Sequence, residues 1–179
     1  RLYPPAILEN FKAYLKICDE NNILFSYALS PAMSMEYSNP AELEKLIAKY
    51  RQLQSIGVNR FGIFFDDVLP FLSTPNDRKK FKTIAEGEVY VSNKLLAALL
   101  KKDPSATLFF VPNQYWGWTP TTYMRVIRER LDPRIEVGWT GKDIVSEAIS
   151  AEDAYKFKEV VGRKPAIGDN FSPLGPLVN

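Results

Sequence analysis

The sequence predicts an α/β fold with parallel strands, and three observations carry that expectation. Along the 179 residues, apolar spacing alternates between a helical period and short strand-like runs, and no two strand-like runs are adjacent. Hydrophobic residues make up 46% and charged residues 25%, enough apolar material for a core and far from a disordered composition. The strand-like runs are nearly continuous stretches of apolar residues rather than alternating ones, as expected of parallel strands covered on both faces.

The elements follow in order. Ile7, Phe11, Tyr14, Leu15 and Cys18 form a helical stripe that Asn21-Asn22 ends, with Cys18 on its apolar side as a core residue. Ile23 to Leu29 reads as a strand, and a loop runs from Ser30 to Asn39. Asn39-Pro40-Ala41-Glu42 supplies an N-cap, a first-turn proline and an acidic third position. The stripe Leu43, Leu46, Ile47, Tyr50 and Leu53 follows and ends at Gly57, a C-cap. Phe61 to Phe65 is the second strand and runs straight into Asp66-Asp67. A long helix is expected from about Asp77 to Lys102, stopped by Asp103-Pro104. Thr107 to Val111, Ile135 to Trp139 and Lys164 to Gly168 are the remaining strands. Helices over roughly Thr121 to Arg130 and from Ser150 onward, the latter with a capping-box pattern, separate them.

Two architectures fit this order: an open doubly wound sheet, or part of a (β/α)8 barrel. No glycine-rich phosphate loop follows any strand, which counts against nucleotide-binding open sheets. A closed barrel usually needs about 250 residues, so the barrel reading requires strands outside this chain. The opening residues, Arg1-Leu2-Tyr3-Pro4-Pro5, show neither an initiator Met nor a signal-peptide pattern and read as a chain already in progress. They leave the compartment open.

Composition also narrows the chemistry. There is no histidine and one cysteine, so histidine bases, imidazole metal sites, intrachain disulfides and cysteine clusters are excluded within the chain. Lys+Arg 23 against Asp+Glu 21 leaves a net charge of +2, which points to neither a nucleic-acid nor a membrane-surface partner. No apolar run approaches the ~20 residues of a membrane span. Carboxylates, tyrosines or lysines must then carry any proton chemistry.

In parallel α/β folds ligands bind at the carboxyl ends of the strands. Those ends here carry Ser30, Asp66-Asp67, Tyr115, Trp139-Thr140 and Asp169-Asn170. Carboxylates beside aromatics, without a cationic cluster, suit a neutral, hydroxyl-rich ligand such as a sugar. Two adjacent carboxylates at a strand end repel each other, so one stays ionised while the other can hold a proton. Two other readings of the pair are a surface capping pair and a Mg²⁺ site, for which further oxygen ligands are not evident. Tyr115, Trp116 and Trp118 also fit a packing role, Trp139 a barrel-layer residue, and Asp169-Asn170 a turn.

The stretches Phe25 to Pro31, Tyr37-Ser38-Asn39-Pro40, Phe61 to Val68, Val111 to Tyr115, Ile135 to Gly141 and Asp169-Asn170, in this order and spacing, resemble the catalytic domain of glycoside hydrolase family 84. These are β-N-acetylglucosaminidases, among them the protein O-GlcNAcases and bacterial enzymes often labelled hyaluronidases. Phe-Asp-Asp together with Trp-Thr-Gly is the most specific part of the likeness. The resemblance implies a (β/α)8 barrel, of which residues 1–179 hold about five central units, and a retaining, substrate-assisted mechanism outside the two-carboxylate scheme. It implies that Asp66 polarises the substrate's acetamido N–H and that Asp67 is general acid and then base. It also implies that Tyr115 hydrogen-bonds near the reacting centre, that Asn170 binds the sugar, that Thr140 lines the acetamide pocket, and that Trp139 is a further substrate-binding residue. No metal or organic cofactor is implied. The implied partners are a GlcNAc-terminated glycan or O-GlcNAc-modified protein, together with the remainder of the barrel or a second subunit.

There are departures from the family pattern. A sugar-contacting glycine and lysine are expected ahead of Arg1, and a last strand beyond Asn179. Gly168 stands where a Trp is usual and Gly175 where a sugar-gripping Asp is usual. A GlcNAc-binding protein without catalysis, or an inactive fragment, is the alternative these departures define, and a Mg²⁺-dependent hydrolase is a third reading.

Overall fold

A computed structural model describes residues 1–168. The helices are α1 (Pro5–Glu20), α2 (Pro40–Gln54), α3 (Pro75–Lys80), α4 (Ile84–Leu100), α5 (Thr122–Arg130) and α6 (Ala151–Val161). The strands are β1 (Tyr27–Leu29), β2 (Arg60–Phe64), β3 (Thr107–Val111), β4 (Glu136–Trp139) and β5 (Pro165–Ile167). All pair in parallel, in the sequential order β1-β2-β3-β4-β5.

The two faces of the sheet differ, and the difference settles the architecture. Tyr27, Phe61, Ile63, Phe65, Leu108, Phe110, Val137 and Trp139 are all buried. They alternate along the strands and pack on the helices: Tyr50 of α2 stacks on Tyr27 and Phe61, and Phe157 of α6 on Trp139. Ala28, Phe64, Phe109 and Val111 point the other way and are only half-buried. Gly62 lies on this second face, where a Cβ would come within 2.9 Å of both the Ala28 Cβ and the Phe64 ring. Helices on one face and strands in sequential order define an arc of a (β/α)8 barrel, with a convex helical side and a concave inner side. A doubly wound sheet would carry helices on both.

Local signals account for most boundaries. Asn39, Thr121 and Ser150 cap α2, α5 and α6, each side chain accepting a backbone N–H of the first turn. Gly162, at φ 78°, ends α6 in the left-handed conformation.

Three expectations need correction. The long helix expected from Asp77 to Lys102 is two helices, because Thr83 and Glu86 form a capping box. The Thr83 hydroxyl accepts the Glu86 N–H at 3.3 Å, and the Glu86 carboxylate accepts the Lys82 N–H at 2.7 Å. The first strand is shorter than Ile23 to Leu29, since Ile23 and Leu24 are exposed and only Tyr27–Leu29 pairs with β2. Cys18 is half-buried rather than a core residue, on a helix with no fully buried side chain.

Candidate active site

The site sits where the strands end. Phe65 packs into the helical layer against Tyr37 and Phe110, and its N–H extends the sheet by donating to the Val111 carbonyl at 2.9 Å. The chain then turns. Asp66 is half-buried and Asp67 is exposed, with φ 55°, a left-handed conformation uncommon outside glycine. Burial pushes the Asp66 carboxyl above the ordinary carboxylate range. Its own backbone N–H opposes that rise, and the charge of Asp67 adds to it.

Tyr115 arrives from the loop after β3. Its phenol is raised above the usual tyrosine value, first by burial and then by the charges of Asp67 and Asp66. The three side chains expected from the sequence at two different strand ends therefore act on one another. Among the described residues no three carboxylate, cysteine or histidine side chains converge. Asp66 and Asp67 stand as a pair.

The loop from Asn113 to Trp118 is pinned on both sides. Toward β2, the Asn113 amide Nδ2 donates to the Val68 carbonyl at 2.8 Å, directly beyond the aspartate pair. Toward β4, the Thr140 N–H donates to the Tyr115 carbonyl at 2.9 Å and the Gly117 N–H to the Gly141 carbonyl at 2.8 Å. Gly141 holds φ 104°, and a Cβ there would strike the Ser146 side chain, which accounts for the glycine of the Trp-Thr-Gly run. Thr140 itself is half-buried, its hydroxyl donating to the Asp143 carbonyl at 3.0 Å.

Trp139, expected among the substrate-binding residues, is 1% exposed and lies against Phe157 in the helical layer. Its indole N–H donates to the Gly117 carbonyl at 2.9 Å, so it supports the Tyr115 loop from beneath. Asn170 and the neighbouring Asp169 lie outside the described residues, as does Gly175. Gly168 is described, and a Cβ at that position would meet nothing within 4 Å among the described residues.

The sequence reading overlooked a buried polar group under the site. Glu88 is fully buried in α4, accepts the Tyr123 hydroxyl, and has a carboxyl pushed up to about 8 by burial. Asp77, 1% exposed, accepts the Tyr37 and Ser38 N–H groups at 3.2 and 2.6 Å. A signal for Glu88 was available: it falls on the stripe Ile84, Glu88, Val91, Leu95, Leu99, an acid in an otherwise apolar row.

A barrel arc with paired carboxylates and a tyrosine at its carboxyl-end rim is the framework of an enzyme of the (β/α)8 class. The beta-N-acetylglucosaminidase (NAGidase) family model matches residues 1–173, and the chain belongs to that family. The protein O-GlcNAcases of rat (Rattus norvegicus) and mouse (Mus musculus) are each 30% identical to it over 176 residues, covering 95% of this chain and 19% of theirs. The chain thus spans about a fifth of the length of these relatives. A mutant of the Thermobaculum terrenum O-GlcNAc hydrolase superposes with a TM-score of 0.91 at 29% identity, covering 96% of this chain and 37% of that one.

Proposed function

We propose that the chain carries the catalytic pair of a retaining β-N-acetylglucosaminidase that removes terminal N-acetylglucosamine from a protein or glycan. One observation carries the reading: Asp66, Asp67 and Tyr115 come together at the rim of the arc, close enough for both carboxylates to act on the Tyr115 phenol.

The chemistry starts from the substrate's own acetamide. Its oxygen attacks the anomeric carbon while the glycosidic bond breaks, and Asp67 passes its proton to the leaving oxygen. Asp66 accepts the acetamido N–H and stabilises the charge that develops there, and an oxazoline results. Water then attacks the anomeric carbon and gives its proton to Asp67. The acetamide is restored and the β configuration is retained.

The proton inventory suits this division of labour. In the free site burial raises Asp66. A bound acetamido N–H donating to Asp66 favours its charged form, as a role beside the acetamide requires. Thr140 lines the acetamide pocket and Asn170 binds the sugar. Trp139 acts indirectly, through Gly117. The five strands form the central part of an eight-stranded barrel, and residues beyond these five complete the sugar site.

Fluorination of the N-acyl group tests substrate assistance. Each added fluorine weakens the acyl oxygen as a nucleophile, so kcat/KM should fall steeply from N-acetyl to N-trifluoroacetyl substrates. A flat series would mean that a protein group or free water attacks instead.

A further inference from the structure

We propose that Glu88 is a positioning residue for this site: through the Tyr123 hydroxyl it fixes the Asn113 backbone, and Asn113 locks the loop carrying Tyr115 to the turn that follows Asp67. The inference rests on the glycosidase reading above and adds the device that sets its geometry.

A fully buried acid in a helix is costly unless something uses it. Glu88 lies in the second turn of α4, on the convex side, and reaches no part of the proposed substrate. Its Oε2 accepts the Tyr123 hydroxyl of α5. That hydroxyl in turn accepts the Asn113 N–H at 2.7 Å. The Asn113 side chain then donates to the Val68 carbonyl at 2.8 Å. Every step is a hydrogen bond with donor and acceptor assigned, and such chains strengthen one another in a dry interior. The relay runs from a helix in the outer layer to both loops that carry the reacting groups.

Its surroundings hold it rigidly. The titratable groups facing Glu88 are Tyr123 from α5 and Tyr37 from the loop before α2, with Asp77 of α3 acting on Tyr37 from beyond. The neighbouring Gly87 lets α4 press onto Tyr37, since a Cβ there would come within 2.7 Å of the ring. Among the described residues Glu88 Oε1 has no hydrogen-bond partner, while Oε2 accepts from Tyr123. A pair that served only to join α4 to α5 would not need the Asn113 N–H. Here the tyrosine hydroxyl stands between the acid and a site loop.

The test uses the full-length gene product with Tyr123→Phe, Glu88→Ala and Glu88→Gln. Tyr123→Phe keeps the ring packing and removes the relay. A misplacement of about 1 Å at a reacting group costs on the order of 100-fold, so kcat per folded molecule should fall about 10- to 100-fold, with KM changed less than about threefold. Glu88→Ala removes the acceptor and should lower kcat as Tyr123→Phe does, and a folded Glu88→Ala protein with parental kcat overturns the proposal. Glu88→Gln keeps an acceptor for Tyr123 and should restore most of the rate. Amide exchange at Asn113 should quicken in Tyr123→Phe and stay slow in Glu88→Gln. A folded Tyr123→Phe protein with parental kcat and unchanged Asn113 exchange overturns the proposal. If the parent itself fails to cleave N-acetylglucosaminides, the glycosidase reading fails instead. The exchange data then decide the relay alone: faster Asn113 exchange in Tyr123→Phe upholds it, and unchanged exchange refutes it.

Discussion

At the scale of single residues, Asp67 adopts φ 55°, a conformation that costs an L-residue about 1–3 kcal/mol and collects at functional sites. The aspartate pair and Tyr115 were legible in the sequence because they directly follow strands, and strand ends in such folds face the ligand. Glu88 was harder to see. Its partner Tyr123 lies 35 positions away, so only the break in an apolar stripe marked it. Its burial has a measurable consequence for stability. The carboxyl is raised from 4.5 to about 8 in the folded chain. Between those values the native state keeps a proton that the unfolded state releases, so stability falls as pH rises through that window. The loss should be on the order of 4 kcal/mol between pH 5 and pH 8.5. Urea unfolding at pH 5 and at pH 8.5 measures it, and Glu88→Gln should flatten the dependence. Trp139→Phe should cost about 1–3 kcal/mol by leaving the Gly117 carbonyl without its donor. Denaturant midpoints for the two proteins check this.

At the scale of elements, the corrected expectations have separate causes. No proline lies between Asp77 and Lys102 to mark a break, and the stop lies in side chains that bond to the backbone. Thr83→Ala removes that stop and should destabilise the chain by about 1 kcal/mol, read as a lowered melting temperature. The break has a structural use: it frees α3 to turn Asp77 inward, onto the Tyr37 and Ser38 N–H groups. Asp77→Ala should be the harsher change, at about 2–5 kcal/mol, because it strands two donors at once. Equilibrium unfolding of the two variants side by side gives the ranking. The shortened β1 has a different origin. An apolar run such as Ile23 to Leu29 marks where a chain approaches a sheet, but pairing is decided by the neighbouring strand, and β2 reaches only Tyr27, Ala28 and Leu29.

At the scale of the whole molecule, the alternation of helices and strands was visible throughout, yet it fitted two architectures. The choice depended on which face each strand buries, and that is a property of the assembled sheet. The concave face, with Phe64, Phe109 and Val111 half-buried, is the inner wall of the barrel, and Asp66 and Asp67 stand at its rim. These 179 residues expressed alone should therefore turn over an aryl N-acetylglucosaminide far more slowly than the full-length protein, with family-like rates from the fragment as the contrary result. The central claim, that Asp67 is the proton donor of a glycosidase, is tested most directly by Asp67→Ala in the full-length protein against substrates of graded leaving-group ability. In kcat/KM, which reports the bond-cleaving step and not the later attack of water, hydrolysis should collapse for leaving groups that need protonation and survive largely for a nitrophenolate that leaves unaided. An equal loss on both, or none on either, would contradict the assignment.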